Sequence, residues 1–173
     1  QYDGTHTPEG ATPLGAQDDR SKAFDPNNNF YYLPGSSLQL PNRSSSYHEE
    51  PARVTGNDCW SATPSANDWY ETVKLNYGVD YRPAHFDPIP ATWLQMRDIL
   101  CYWAAEGVDG FRCDMVEMVP VAFWHWVIPQ VQEKYPVTFV AEIYQIDNYH
   151  KYLEEGAFDL LYDKSGLYDT LYQ

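Results

Sequence analysis

Basic residues are scarce in this sequence: eleven Lys and Arg stand against twenty-five Asp and Glu, for a net charge of −14. This charge would repel a polyanion, so the composition argues against a nucleic-acid partner. Long hydrophobic runs are also missing, since no stretch approaches the roughly 20 apolar residues that a membrane span needs. We therefore expect no nucleic acid partner and no membrane span.

Cysteine is sparse as well. Cys59, Cys101 and Cys113 are odd in number and lack the CxxC or His/Cys spacing of zinc sites. Neither a disulfide framework nor a metal site is indicated. Gln1 opens without a start Met or a signal-peptide pattern. We expect a chain that begins in mid-protein, and a secreted, periplasmic or cell-surface parent fits this expectation.

Aromatic residues are abundant instead, with fifteen Tyr and six Trp. Flat rings with polar edges stack well on the apolar faces of sugars, although packing in the core explains any single ring equally well. A carbohydrate ligand is one class of partner that this composition favours.

The chain falls into two regions. Residues 1–85 are rich in Pro, Gly, Ser, Asn and Asp and predict a loop-dominated subdomain, with short strands at 30–33 and 70–75. Residues 86–173 alternate between helix-like and strand-like patterns, which predicts parallel βα units and an α/β fold. The predicted helices are 92–104, with a Thr92 capping box, 120–135 and 147–155, and the predicted buried strands are 108–114, 138–143 and 158–162.

Two of these strands end in carboxylates, Asp114 and Glu142. The C-terminal ends of parallel strands carry the active sites of βα barrels. Arg112 shares the strand face of Asp114 and would keep that carboxylate ionised. Apolar neighbours would raise the pKa of Glu142, giving the ionised and protonated pair that glycoside hydrolysis uses. A structural ion pair and an ordinary strand-end glutamate are the alternative.

The sequences of these motifs resemble segments of the α-amylase family of glycosidases. Residues 107–114 (GVDGFRCD) are similar to its segment carrying the arginine and the nucleophile at the end of the fourth barrel strand. Residues 139–142 (FVAE) resemble the segment of the general acid/base, which ends the fifth strand. Residues 73–77 (VKLNY) resemble the end of the loop domain between the third strand and the third helix.

The resemblance implies part of a TIM (β/α)8 barrel, from the third helix to about the sixth strand, with residues 1–85 inserted after the third strand. It implies a retaining enzyme acting on α-glucosidic bonds in starch-like glucans or oligosaccharides. Asp114 would be the nucleophile, Glu142 the general acid/base, and Arg112 would orient Asp114. Retention predicts carboxyl groups roughly 5–5.5 Å apart.

The sequence also departs from the family pattern. Positions that often hold Lys and His near the leaving group are Glu117 and Met118 here. These two, with His85 and Tyr144, are the predicted substrate-binding residues. The family's first and last catalytic motifs are missing, so we expect an excised middle portion with about three parallel strands, which would self-associate through its open edges. Calcium is a cofactor that relatives suggest for the intact parent, and Asp18, Asp19, Asp25 and Asp58 are the candidate ligands, although the sequence favours a solvated acidic loop at these residues.

Three functions remain open at this point. The leading hypothesis is a hydrolase of α-glucans. The second is a transglycosylase or a sucrose- or trehalose-converting relative that uses the same residues. The third is a non-catalytic, glycan-binding or scaffold member of the family.

Overall fold

The structure is a computed structural model that describes residues 12–42, 45–79 and 84–172. The chain divides into two compact units, Gln1–Thr92 and Trp93–Gln173. The assignment of residues 1–85 as an insertion after a third barrel strand stays a prediction.

The first unit contains little regular structure. Strands β1 (Tyr32–Leu33) and β2 (Ala52–Arg53) pair antiparallel, and one further bridge joins Phe30 to Leu75. The strand predicted at 70–75 is therefore wrong except at its last residue. The amide and the hydroxyl of Thr72 both donate to the Trp69 carbonyl, at 2.9 and 2.7 Å, and close a turn instead.

Buried polar side chains take the place of strand ladders in this unit. Asn76 is fully buried, and its amide group donates to the carbonyls of Asp25 and Asn28 at 2.9 and 3.0 Å. The Asp18 carboxylate accepts the amides of Asn29 and Phe30 at 2.8 and 3.1 Å. Since buried backbone groups need partners, these side chains hold loops together that no sheet organises.

Helix α1 (Ala91–Ala105) crosses from one unit into the next. The predicted capping box is wrong, because Thr92 is the second residue of the helix and not its N-cap. Within the first unit, the Thr92 hydroxyl accepts the side-chain amide of Asn29 at 3.3 Å. The helix ends close to Gly107, which has the positive φ of 95° that favours glycine.

The described residues of the second unit form a parallel sheet in the order β3 (Gly110–Cys113), β4 (Thr138–Ile143), β5 (Leu160–Asp163). Helix α2 (Val121–Gln132) connects β3 to β4 and continues past Pro129 without interruption. The remaining elements are two 3₁₀ turns, two π-helical turns and a short helix: Val116–Met118, Ile146–Asn148, Lys151–Glu155, Lys164–Tyr168 and α3 (Asp169–Tyr172).

Of the three strands of this parallel sheet, only the central strand β4 is largely buried. Phe139, Ala141 and Ile143 of β4 are fully buried, whereas Leu160 and Tyr162 of β5 are 56% and 43% exposed. The predictions that all three strands are buried are thus wrong for β3 and β5, because each is an edge strand with a neighbour on one side. The α/β class with a parallel sheet is confirmed. Self-association through these edges stays a prediction.

No helix in the described ranges combines the length and the apolar character that crossing a membrane requires.

Candidate active site

The pairing of β3 with β4 places Asp114 and Glu142 at the same edge of the sheet. Cys113, the last residue of β3, lies opposite Ala141, and the parallel register brings the next residue of each strand side by side. The two strands approach closely at this register because Gly110 has no side chain. A Cβ atom there would lie 2.4 Å from the Thr138 carbonyl oxygen.

Arg112 contacts both carboxylates. One guanidinium nitrogen, Nη1, lies 3.0 Å from Asp114 Oδ1, and the other, Nη2, lies 2.7 Å from Glu142 Oε1. The side chain of Asp114 is 71% exposed, whereas that of Glu142 is 7% exposed. The sequence predicted the contact with Asp114 but not that with Glu142. We call Arg112, Asp114 and Glu142 the strand-end cluster.

Two further donors hold the Glu142 carboxylate. The Tyr144 hydroxyl donates to Oε1 at 2.9 Å, and the Met115 amide donates to Oε2 at 3.1 Å. Met115 has a φ of 48° and a ψ of 45°, a left-handed backbone conformation that residues other than glycine rarely adopt. Sequence reasoning missed Met115, because the contact is made by its backbone and its side chain carries no signal.

The prediction that the pKa of Glu142 is raised is wrong. A hydrogen bond with the Asp114 carboxyl, together with the Met115 amide, the Tyr144 hydroxyl and the charge of Arg112, outweighs burial and lowers the pKa of Glu142 to about 2. The apolar neighbours in sequence pack along β4, while the carboxylate itself meets these donors. In this arrangement Glu142 is ionised at neutral pH.

Glu117 lies beside the strand-end cluster, and its carboxylate is engaged with the segment after β4. Oε2 accepts the Tyr144 amide at 2.9 Å, and Oε1 accepts the Asn148 side-chain amide at 2.7 Å and the Gln145 amide at 3.3 Å. Met118 is half-buried at the end of the same 3₁₀ turn. Substrate contacts by Glu117, Met118 and Tyr144 stay predictions.

Comparison with known proteins found curated relatives but no matching family model. An α-1,4-glucan:maltose-1-phosphate maltosyltransferase of Picrophilus torridus is 33% identical over 134 residues, which is 77% of this chain and 17% of that protein. One of Cereibacter sphaeroides is 39% identical over 57 residues, which is 32% of this chain and 10% of that protein. Together with the strand-end motifs, these matches decide the family.

The chain belongs to the α-amylase family. It spans less than a fifth of the length of the curated relatives quoted above, 17% and 10%. The crystal structure of the α-amylase from Geobacillus thermoleovorans complexed with acarbose is 23% identical, with a TM-score of 0.42, over 52% of this chain and 20% of that chain.

His85, the remaining predicted substrate-binding residue of this α-amylase-family chain, lies in the first unit. Its ring centroid is 5.0 Å from that of Phe24, and its amide donates to the Gly78 carbonyl at 2.7 Å. The side chain is exposed. A contact of His85 with substrate stays a prediction.

The carboxylates considered for calcium are engaged with donors of the protein. Asp18 accepts backbone amides, Asp19 accepts the Ser21 hydroxyl at 2.6 Å, and Asp25 and Asp58 pair with lysines. Within the described part of the chain, no group of three or more His, Cys, Asp or Glu side chains is placed to hold a metal ion.

Proposed function

We propose that this chain carries the reacting carboxylates of an enzyme that cleaves α-glucosidic bonds in glucans or oligosaccharides by double displacement. The observation that carries the proposal is that one guanidinium group, that of Arg112, contacts both Asp114 and Glu142 at neighbouring strand ends, at 3.0 and 2.7 Å. Inverting glycosidases leave roughly 6.5–9.5 Å between their carboxyls for a water molecule. Two carboxylates that contact the same guanidinium group are held close together, which favours the shorter separation of retaining enzymes.

The exposures of the two carboxylates support different roles. Asp114, open to solvent, attacks the anomeric carbon, and a bond from its oxygen forms as the bond to the leaving oxygen breaks. Glu142 gives its proton to that leaving oxygen. Glu142 then takes a proton from an incoming hydroxyl, whose oxygen attacks the anomeric carbon and releases Asp114.

Glu142 must gain a proton before the first step, because the contacts in this structure hold it ionised. We infer that a bound substrate displaces donors from the Glu142 carboxylate, which raises the pKa of Glu142 and lets it take a proton from solvent before the first step.

The incoming hydroxyl belongs either to water or to a second sugar. The relatives reported above are named as maltosyltransferases, which favours a sugar acceptor over water. Analysis of the products distinguishes the two: incubation with an added acceptor sugar should give longer oligosaccharides if transfer dominates, and only shortened ones if hydrolysis dominates.

The whole enzyme would be a (β/α)8 barrel of roughly 250 residues or more, in which the described sheet supplies neighbouring strands. Residues 86–173 would run from the third helix to about the sixth strand. The activity proposed here is that of the intact protein and not of the 173-residue chain alone.

Two substitutions in the intact enzyme test the proposal. Glu142→Gln should lower turnover of natural glucans by about 10²–10⁴-fold, the usual contribution of general acid–base catalysis. The turnover of a glycosyl fluoride by the same variant should fall much less, because that leaving group needs little protonation. Asp114→Asn should lose both activities, because the nucleophile is gone.

Asp109→Asn is the matched control, since Asp109 is an exposed carboxylate just before β3 and should be dispensable. Wild-type rates for Asp114→Asn or Glu142→Gln would reject the catalytic assignment of these residues, and an intact wild-type protein that binds glucans without turnover would favour the glycan-binding alternative.

A further inference from the structure

We propose that Glu117 is a positioning residue for Glu142: its carboxylate ties together the two segments whose donors hold the Glu142 side chain. This inference deepens the proposed function and rests on it for its consequence in turnover. Its structural core, the coupling of Glu117 to Glu142, is testable without activity.

The first segment is the turn after β3. Glu117 is the middle residue of the 3₁₀ turn Val116–Met118, which follows directly on Met115. The Tyr152 hydroxyl donates to the carbonyls of Glu117 and Val119, at 3.4 and 3.2 Å, and fixes this turn from the side. The left-handed Met115, whose amide donates to Glu142, is thus held in place by the turn that contains Glu117.

The second segment is the chain that leaves β4. Glu117 Oε2 accepts the Tyr144 amide at 2.9 Å, while the hydroxyl of the same tyrosine donates to Glu142 at 2.9 Å. The Asn148 side chain adds a second anchor to Glu117 at 2.7 Å. Tyr144 is 39% exposed, so packing alone does not fix it. Two hydrogen bonds of its backbone set its position instead. Its amide donates to Glu117, and its carbonyl accepts the Ser165 hydroxyl at 2.6 Å.

A substrate contact is the competing role for Glu117. Three donors within 3.3 Å already use its carboxylate oxygens, and its side chain is half-buried. A sugar hydroxyl would have to displace one of these donors. The observed contacts therefore assign Glu117 to holding the site rather than to binding the ligand.

The charge of Glu117 and its hydrogen bonds have opposite effects on Glu142. The groups that face Glu142 are Arg112, Asp114 and Tyr144, with the Met115 amide. Losing a nearby negative charge would lower the pKa of Glu142 further. Losing the Tyr144 and Met115 donors would raise it, because these donors favour the ionised form. The sign of the change separates positioning from simple electrostatics.

The experiment follows the side-chain carboxyl carbon of Glu142 by ¹³C NMR in the 173-residue chain, with circular dichroism as the check on folding. Glu117→Ala should raise the pKa of Glu142. Glu117→Gln, which removes the charge but keeps one acceptor oxygen, should change it less. Glu154→Ala, at an exposed glutamate of the same unit, is the matched control and should leave it unchanged.

Tyr144→Phe removes the hydroxyl alone and should reproduce part of the rise. Adding Glu117→Ala to Tyr144→Phe should then raise the pKa of Glu142 less than Glu117→Ala does in the wild-type background. The reason is that the Tyr144 hydroxyl, one of the two donors that depend on Glu117, is already absent. A fall in the pKa in Glu117→Ala, or equal effects of Glu117→Ala and Glu117→Gln, would overturn the proposal.

In the intact enzyme, Glu117→Ala should lower kcat by about 10- to 100-fold with little change in KM, as expected when a reacting group is misplaced. A substrate-binding role would instead raise KM. If Glu142→Gln itself proves fully active, the proposed function fails, yet the NMR result on Glu117 stands or falls independently.

Discussion

The buried ion pair of Glu49 with Arg53 offers a test of how the loop-dominated first unit is stabilised. Glu49 is 8% exposed, and its carboxylate accepts four hydrogen bonds. They come from the Arg53 amide at 2.8 Å, from Arg53 Nε and Nη2 at 3.1 and 2.7 Å, and from the Tyr47 hydroxyl at 2.7 Å. The Arg53 guanidinium also lies 5.0 Å from the centre of the Phe30 ring.

Removing Glu49 leaves a guanidinium that is only 13% exposed without its counter-charge. Breaking a buried pair in this way costs about 3–5 kcal/mol, so we expect Glu49→Ala to lower the free energy of unfolding by that amount. Glu49→Gln keeps one acceptor and should cost about 1.5–3 kcal/mol, as for one hydrogen bond to a charged group.

The double variant Glu49→Leu/Arg53→Met should cost less than Glu49→Ala alone, because no unpaired charge remains in the interior. Glu50→Ala is the control, since that side chain is 57% exposed, and it should stay within about 0.5 kcal/mol of the wild type.

Urea denaturation of the 173-residue chain, followed by Trp fluorescence, measures these values. Trp60 reports on this unit because its ring lies 5.0 Å from that of the buried Tyr31, and hydrogen exchange of the segment 47–54 localises the effect. A Glu49→Ala variant as stable as Glu50→Ala would refute the reasoning. So would a double variant Glu49→Leu/Arg53→Met that costs at least as much as Glu49→Ala alone.

Two other predictions concern the strand-end cluster. Gly110→Ala would place a Cβ atom 2.4 Å from the Thr138 carbonyl oxygen, so it should cost about 1–3 kcal/mol and separate Arg112 from Glu142; unchanged stability in thermal unfolding would contradict this. The lowered pKa of Glu142, about 2 against an ordinary 4.5, stabilises the fold above pH 4.5, and this stabilisation is lost as the pH falls towards 2. Denaturant unfolding between pH 2 and 6 should therefore show a shallower acid loss for Glu142→Gln than for the wild type, and parallel curves would contradict it.

The outline of the second unit was predictable because its cause is local. Helix-like and strand-like patterns alternate, and the parallel βα arrangement follows from that alternation alone. The period of two along β3 placed Arg112 and Asp114 on one face, and their contact at 3.0 Å agrees with it. The short strands of the first unit were predicted less well, since the turn at Thr72 depends on a hydrogen bond that propensity does not reveal.

Sequence by itself determined the family, the parallel α/β pattern and the positions of Asp114 and Glu142 at strand ends. Only the tertiary structure decided the surroundings of Glu142, because its partners Arg112, Met115 and Tyr144 come from separate segments and one of them acts through its backbone. The pKa of a carboxyl depends on which donors reach it in space and not on its neighbours in sequence. For the same reason the exposure of β3 and β5 could not be read from their apolar residues: burial requires a neighbouring element, and the described chain supplies one on a single side of each strand.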